Sequence, residues 1–90
     1  AAVVGFSRVL ARELGADNIR VNTLAPGATM SEERASDEAL KNYQRSASTR
    51  ILKRIEQPED LVGTALYLLS DLSTFVTGQT ILVNGGAVLH

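Results

Sequence analysis

Asn18-Ile19-Arg20-Val21-Asn22-Thr23-Leu24-Ala25-Pro26-Gly27 is a short apolar strand that runs into a Pro-Gly turn. Ile19, Val21 and Leu24 supply β-branched and apolar side chains, and Pro26 has no N–H to give to a ladder, so the strand is expected to finish before it. Gly27 has no Cβ and lets the backbone approach whatever binds there. Open α/β sheets bind their ligands at the carboxyl ends of strands, which makes Pro26 and Gly27 the first candidates for a binding site.

Upstream, Val3, Phe6, Leu10 and Leu14 recur at three- and four-residue steps while Ser7, Arg8, Arg12 and Glu13 fall mostly elsewhere. That spacing predicts an amphipathic helix facing inward through those four residues, with Gly15 as its C-terminal stop. Downstream, Ser36 reads as the N-cap of a helix over 37–47, with Asp37 and Glu38 in its first turn. Pro58 suits the first position of another helix, reaching about Ser70, with Glu59 and Asp60 at its anion-favouring end. Leu61, Ala65, Leu68 and Leu69 line that helix and Val62 and Leu66 widen the stripe, so it reads as a core element. Thr77-Gly78 forms a turn before a second strand, Gln79 to Val83, and Asn84-Gly85-Gly86 follows it.

Helices separate the two strands, so they pair in parallel through a right-handed crossover. The order helix-strand-helix-helix-strand is α/β, the end of a doubly wound parallel sheet. Two parallel strands are too few to stand alone, so further strands are expected from elsewhere in a longer protein or from a second copy. Ala1 already lies inside a helical repeat with no Met before it, and the chain reads as a piece of something longer.

Composition narrows the function classes. Ninety residues, 44% hydrophobic and 21% charged, make one small globular unit. Nine basic and ten acidic residues leave a net charge of −1, which offers no general attraction to nucleic acid or acidic membranes. There is no cysteine, so disulfides and thiolate metal sites are excluded and a reducing compartment is permitted; the setting expected is cytoplasmic. Apolar runs are too short to span a bilayer.

Taken together, Ala1-Ala2-Val3-Val4-Gly5-Phe6, Leu10-Ala11-Arg12-Glu13-Leu14, Ile19-Arg20-Val21-Asn22, Ala25-Pro26-Gly27, Pro58-Glu59-Asp60-Leu61, Thr77-Gly78-Gln79-Thr80 and Val83-Asn84-Gly85-Gly86 closely resemble the C-terminal third of short-chain dehydrogenase/reductases. The resemblance implies a Rossmann-type sheet that binds NAD or NADP, with hydride moving between the nicotinamide and an alcohol or ketone carbon. It also implies that residues 1–90 are one segment of a single Rossmann-type domain and that 28–57 form a substrate lid. The last six residues are similar to those of secondary-alcohol dehydrogenases in the family, and 3-oxoacyl reductases share most of the same blocks.

The family's Tyr-x-x-x-Lys pair normally ends just before the Ala-Ala that opens this chain. Neither tyrosine replaces it: Ala47 stands four residues after Tyr43 and Asp71 four after Tyr67. A cation one turn away is what lowers the tyrosine pKa for proton transfer. The family's catalytic Ser and its Gly-rich dinucleotide turn have no counterpart either, so no catalytic residue is assigned and the chain alone is expected to be inactive. In the loop after the strand, Thr29 takes the place of the family's Val or Ile and Ser31 that of its Thr. By resemblance the backbone around Thr29 contacts the nicotinamide carboxamide and the Ser31 hydroxyl reaches the pyrophosphate. Cofactor-binding residues are therefore expected at Pro26, Gly27, Thr29 and Ser31. Asn84 stands where Asp is commoner, so no charge-dependent role is assigned there.

Other features have plainer readings. Glu32-Glu33, Asp37-Glu38 and Glu59-Asp60 are sequence neighbours that do not face each other on a helix, and helix starts account for the last two. Lys41, Arg45, Arg50, Lys53 and Arg54 read as a solvated basic face without the aromatic platform that nucleic acid needs. His90 has no second metal-type ligand near it, so no metal site is expected. Leu40 and Tyr43 either shape the lid or pack its helix onto the body. The expected partners are a small-molecule alcohol or ketone and further copies of the chain, not nucleic acid or membrane. The competing reading is a non-catalytic assembly or dimerisation module, motivated by the uncovered strand edge and the apolar stripe of the first helix. A third is a chain that folds only beside a separate N-terminal fragment.

Overall fold

The computed structural model describes residues 2–32 and 34–87. In order they form α1 (Ala2–Leu14), a short 3₁₀ turn (Gly15–Asp17), β1 (Thr23–Pro26), α2 (Asp37–Ser48), α3 (Glu59–Leu69), a second 3₁₀ turn (Asp71–Ser73) and β2 (Thr80–Val83). β1 and β2 make a two-stranded sheet. The chain divides into two compact units, Ala1–Ala25 with Gly63–Ile81, and Pro26–Val62 with Leu82–His90.

In the first unit α1 turns Val4, Ser7, Leu10, Ala11 and Leu14 inward, while Val3 and Phe6 are 68% and 65% exposed. The inward stripe is thus shifted from the one periodicity suggests, because the helix is apolar on two faces and only one meets the strand. Ser7 marks that face: its hydroxyl accepts from Thr23 Oγ1 at 2.9 Å. The helix ends at Leu14, just before the glycine expected to stop it, though the left-handed residue comes later. Gly15 opens a 3₁₀ turn, and Asn18 takes the left-handed conformation (φ 61°), with its N–H on the Gly15 carbonyl at 2.9 Å. Asn tolerates that region through its short polar side chain.

The expected Ile19–Leu24 strand is displaced: β1 is Thr23–Pro26 and contains the proline. The ladder explains it. Thr23 N–H donates to Gln79 at 2.8 Å in the first unit and Gly27 N–H donates to Val83 at 3.0 Å in the second. Donors to β2 fall on odd positions, so the missing N–H of Pro26 lies on the side that β2 does not use. Both strands ascend through these pairs, which makes them parallel as expected. In residues 19–22 one main-chain bond continues the pairing, from Gly78 N–H to the Val21 carbonyl at 2.8 Å, and side chains supply the others. Asn22 Nδ2 donates to the Val76 carbonyl at 2.9 Å, and Asn22 Oδ1 accepts from Gln79 N–H at 3.1 Å. Ile19 is 48% exposed and Arg20 is the half-buried residue, the reverse of the apolar reading.

In the second unit α2 starts as expected, with Ser36 Oγ accepting from Ala39 N–H at 3.1 Å. α3 starts with Asp60 reaching back to Gln57 N–H at 2.8 Å, a reciprocal cap that places Pro58 in the first turn. α3, whose residues from Gly63 onward belong to the first unit, is not a core element in this chain: Val62, Leu66 and Leu69 are exposed, and Asp60, Leu61, Thr64, Ala65 and Leu68 are no more than half-buried. Among the described residues no helix is long and apolar enough to cross a membrane, and no group of His, Asp and Glu could hold a metal ion. His90 and Glu33 lie outside the described residues.

Candidate cofactor-loop site

All four candidate residues lie in the second unit, on the stretch that leaves β1. Pro26 is exposed, Gly27 and Thr29 are half-buried, and Ser31 is exposed. Thr29 Oγ1 donates to the Gly27 carbonyl at 2.9 Å, which folds the loop onto itself. Thr29 also forms an isolated parallel bridge with Glu56, and Met30 N–H donates to the Glu56 carbonyl at 2.9 Å. A parallel bridge is made by the residues flanking its centre, so the N–H and C=O of Thr29 itself point to the opposite side.

Beneath the loop sit two charges, Arg50, expected on a solvated basic face, and Glu56, for which nothing was expected. Arg50 is 3% and Glu56 5% exposed. Arg50 Nη2 donates to the Ala28 carbonyl at 2.8 Å and Nη1 to the Arg54 carbonyl at 3.0 Å, while Nη2 stands 3.6 Å from Glu56 Oε1. Neither carboxylate oxygen of Glu56, nor Arg50 Nε, has a hydrogen-bond partner among the described residues. The pair is therefore coulombic and incompletely satisfied, a costly arrangement for buried charges unless something else depends on it. Lys53 and Arg54 of the basic stretch are also engaged. Lys53 Nζ donates to the Ser48 and Arg50 carbonyls at 3.0 and 2.9 Å, and Arg54 grips Asp60 through two bonds of 2.7 Å. The Arg54 hydrogen bond, then the Gln57 N–H, lowers the Asp60 pKa to about 2, and the same bond raises that of Arg54.

Gly27 acquires a reason different from the expected one. A Cβ there would lie 2.9 Å from Glu56 Oε1, 3.0 Å from Asn84 Cβ and 3.1 Å from Arg50 Nη2. Its bareness admits this chain's own side chains. On the far side, Gly85 (φ 65°) packs against Arg50 and gives its carbonyl to Leu52 N–H at 2.8 Å. A cavity of about 140 Å³ remains between Arg50, Leu52, Glu56, Asp60, Val83 and Gly85. None of the four loop residues lines it, and it is smaller than the roughly 300 Å³ at which small-molecule sites begin. The loop's outer face carries the N–H and C=O of Thr29, and Ser31 is exposed two residues on.

Above that face, Tyr43 on α2 donates its hydroxyl to Glu32 at 2.8 Å and so ties the helix to the loop. Arg50 and Glu56 were missed as site residues because five cations in one polar stretch look like solvent-facing charge. Their one sequence signal is proximity to Ile51, Leu52 and Ile55.

The family model described as enoyl-(acyl carrier protein) reductase matches residues 1–88. The chain belongs to the short-chain dehydrogenase/reductase family. It is 44% identical to a 3α-hydroxysteroid dehydrogenase of Mediterraneibacter gnavus over 87 residues, 96% of this chain and 34% of that protein. It is similar to a hydroxysteroid dehydrogenase from Escherichia coli, with TM-score 0.86, 35% identity, and coverage of 98% of this chain and 37% of that one. It is equally similar in sequence, at 35% identity, to a short-chain dehydrogenase from Leptospira borgpetersenii with bound NAD+, with TM-score 0.82 and coverage of 98% and 33%. As a short-chain dehydrogenase/reductase chain it has the expected α/β class, part of a Rossmann-type parallel sheet, and it spans about a third of the length of these relatives.

Proposed function

We propose that residues 26–31 are the nicotinamide-side loop, and 28–57 the substrate lid, of an NAD- or NADP-dependent oxidoreductase acting on an alcohol or ketone. The observation that carries the reading is the orientation of the Thr29 peptide. Glu56 occupies the inner side of the bridge, and the N–H and C=O of Thr29 face outward as one donor and one acceptor. A carboxamide needs that complement. Ser31, exposed two residues on, has a hydroxyl to give to a phosphate oxygen. The bound nicotinamide supplies the hydride acceptor or donor, and this chain's part is to orient its carboxamide end and cover the substrate. NAD+ in the Leptospira neighbour and the two hydroxysteroid dehydrogenase relatives favour a secondary alcohol as substrate. The absence of cysteine accords with a cytoplasmic setting.

Backbone and side-chain contributions separate by substitution in the protein that carries this chain. Thr29→Val leaves cofactor affinity within about threefold because the contact is to the peptide, and Ser31→Ala weakens it about tenfold through one lost charge-assisted hydrogen bond. Thr29→Pro, which removes the N–H, abolishes measurable NADH binding. Unchanged binding in Thr29→Pro sinks the reading. Residues 1–90 contain no Tyr-x-x-x-Lys, so the isolated chain shows no turnover of a secondary alcohol with NAD or NADP. Turnover by the purified 90-residue chain, free of contaminating enzyme, would contradict this.

A second reading, a homo-oligomeric assembly module, is favoured by the apolar side chains that stand free. Leu69, Leu72 and Phe75 are 82%, 81% and fully exposed. Analytical ultracentrifugation of residues 1–90 distinguishes it. A stable monomer at micromolar concentration with one sharp unfolding transition removes its physical basis.

A further inference from the structure

Arg50 and Glu56 touch the proposed cofactor loop at four successive residues and nowhere touch its outer face. Arg50 Nη2 holds the Ala28 carbonyl at 2.8 Å, and Glu56 Oε1 would stand 2.9 Å from a Cβ on Gly27. The Glu56 main chain bridges Thr29 and accepts from Met30 N–H at 2.9 Å. One guanidinium thus gathers the Ala28 carbonyl, at the start of the 28–57 excursion, and the Arg54 carbonyl, near its end. The carboxylate six residues on has no hydrogen bond of its own among the described residues. Two buried charges so poorly satisfied do little for stability that apolar side chains would not do as well. What they supply is a planar fork that sets two carbonyls at fixed separation, and a charge that keeps the fork in place.

We infer that the buried Arg50–Glu56 pair is a positioning pair for the cofactor loop: it sets the height and orientation of the Thr29 peptide, and so governs affinity for the nicotinamide dinucleotide without touching it. This rests on the reading of residues 26–31 as the nicotinamide-side loop. Glu56 keeps the guanidinium centred over Gly27, and Arg50 fixes the Ala28 carbonyl, whose planar peptide carries the Thr29 N–H on its opposite side and leads into the Thr29 carbonyl one peptide on.

The test uses the protein that carries this chain, with NADH and NADPH fluorescence titrations and thermal unfolding of the cofactor-free protein run side by side. Glu56→Gln keeps shape and removes the charge; Arg50→Lys keeps the charge and removes the fork. The double variant Arg50→Met/Glu56→Leu removes both charges and leaves no orphan, so it folds even where a single variant fails. The expected result is a dissociation constant raised about tenfold in the double variant and less in Glu56→Gln and Arg50→Lys, with the unfolding midpoint of the double variant within about 4 °C of the parent. Wild-type affinity in the double variant overturns the proposal. So does weakened binding that merely tracks a loss of folded protein, since that is a structural role only. If the parent binds neither NADH nor NADPH, the loop reading itself fails and the positioning role fails with it, an outcome separate from a parent that binds and variants that bind equally.

Discussion

Arg20 Nη1 lies 2.8 Å from the Ser73 carbonyl oxygen and 2.6 Å from the Ser73 hydroxyl, and Ser73 is 1% exposed. The same guanidinium reaches the Leu68 carbonyl at 3.1 Å and the Ser70 carbonyl at 3.4 Å. Helix α3 ends at Leu69, so the Leu68 carbonyl belongs to its last turn and the Ser70 and Ser73 carbonyls follow it, at the end where the helix dipole favours a cation.

Arg20→Ala removes one donor from each of these part-buried acceptors, whose carbonyls keep the Ser73 hydroxyl, the Ser73 N–H or the Val76 N–H, and should cost about 2 kcal/mol of folding stability. Arg20→Lys returns the charge without the fork and recovers only part of it. Urea denaturation of the two variants beside the parent checks both values; equal stability of all three would show that solvent satisfies the carbonyls.

Gly27→Ala places a Cβ 2.9 Å from Glu56 Oε1, 3.0 Å from Asn84 Cβ and 3.1 Å from Arg50 Nη2. All three neighbours are held by buried packing or backbone, so the loop must shift, at a cost of about 1 to 3 kcal/mol. The measurement is the denaturation midpoint; a neutral substitution would mean that the Arg50–Glu56 pair has room to yield.

Asp60 is held at about 2, below its ordinary 3.8, first by the Arg54 hydrogen bond and then by the Gln57 N–H. Its folded pKa is depressed, so the stability it contributes is fully present above the unfolded value and is lost as pH falls from 3.8 through about 2. Asp60→Asn should flatten the stability profile in that window and leave the pH dependence at higher values unchanged. Unfolding midpoints collected across the acid range test it, and a parent and variant with parallel acid limbs would refute it.

Gly86 has φ 85°, and an added Cβ would meet Ile51 Cβ and Cδ1 at 2.9 Å. Gly86→Ala combines left-handed strain with overpacking and should cost about 2 kcal/mol or more. Gly15→Ala is the control: nothing lies within 4 Å of its Cβ, and the change should be neutral or stabilising by up to about 1 kcal/mol. Differential scanning calorimetry of the two variants reads the contrast, and equal shifts would discount the packing argument.

Much of this protein was legible in its residues. Ser36, Pro58 and Asp60 announced two helix starts, because caps are local chemistry between a side chain and the N–H groups within one turn. The parallel pairing of the two strands followed from the helices between them, and the ordered blocks from Ala1 to Gly86 were sufficient for the family. Position along β1 was not legible, since Ile19, Val21 and Leu24 favour an extended chain without saying which residues meet a ladder. Before Thr23 a single main-chain bond to Val21 is joined by side-chain bonds of Arg20 and Asn22 that reach across about fifty residues of chain. The same limit hid Arg50 and Glu56: a charge is solvated by default, and only the folding of β1's exit, the 50–56 segment and the Asn84-Gly85-Gly86 turn onto one another buries those two. Local pattern determined the elements and the family; tertiary contact decided which residues lie beneath the loop, because burial belongs to the assembled surfaces and not to any one segment.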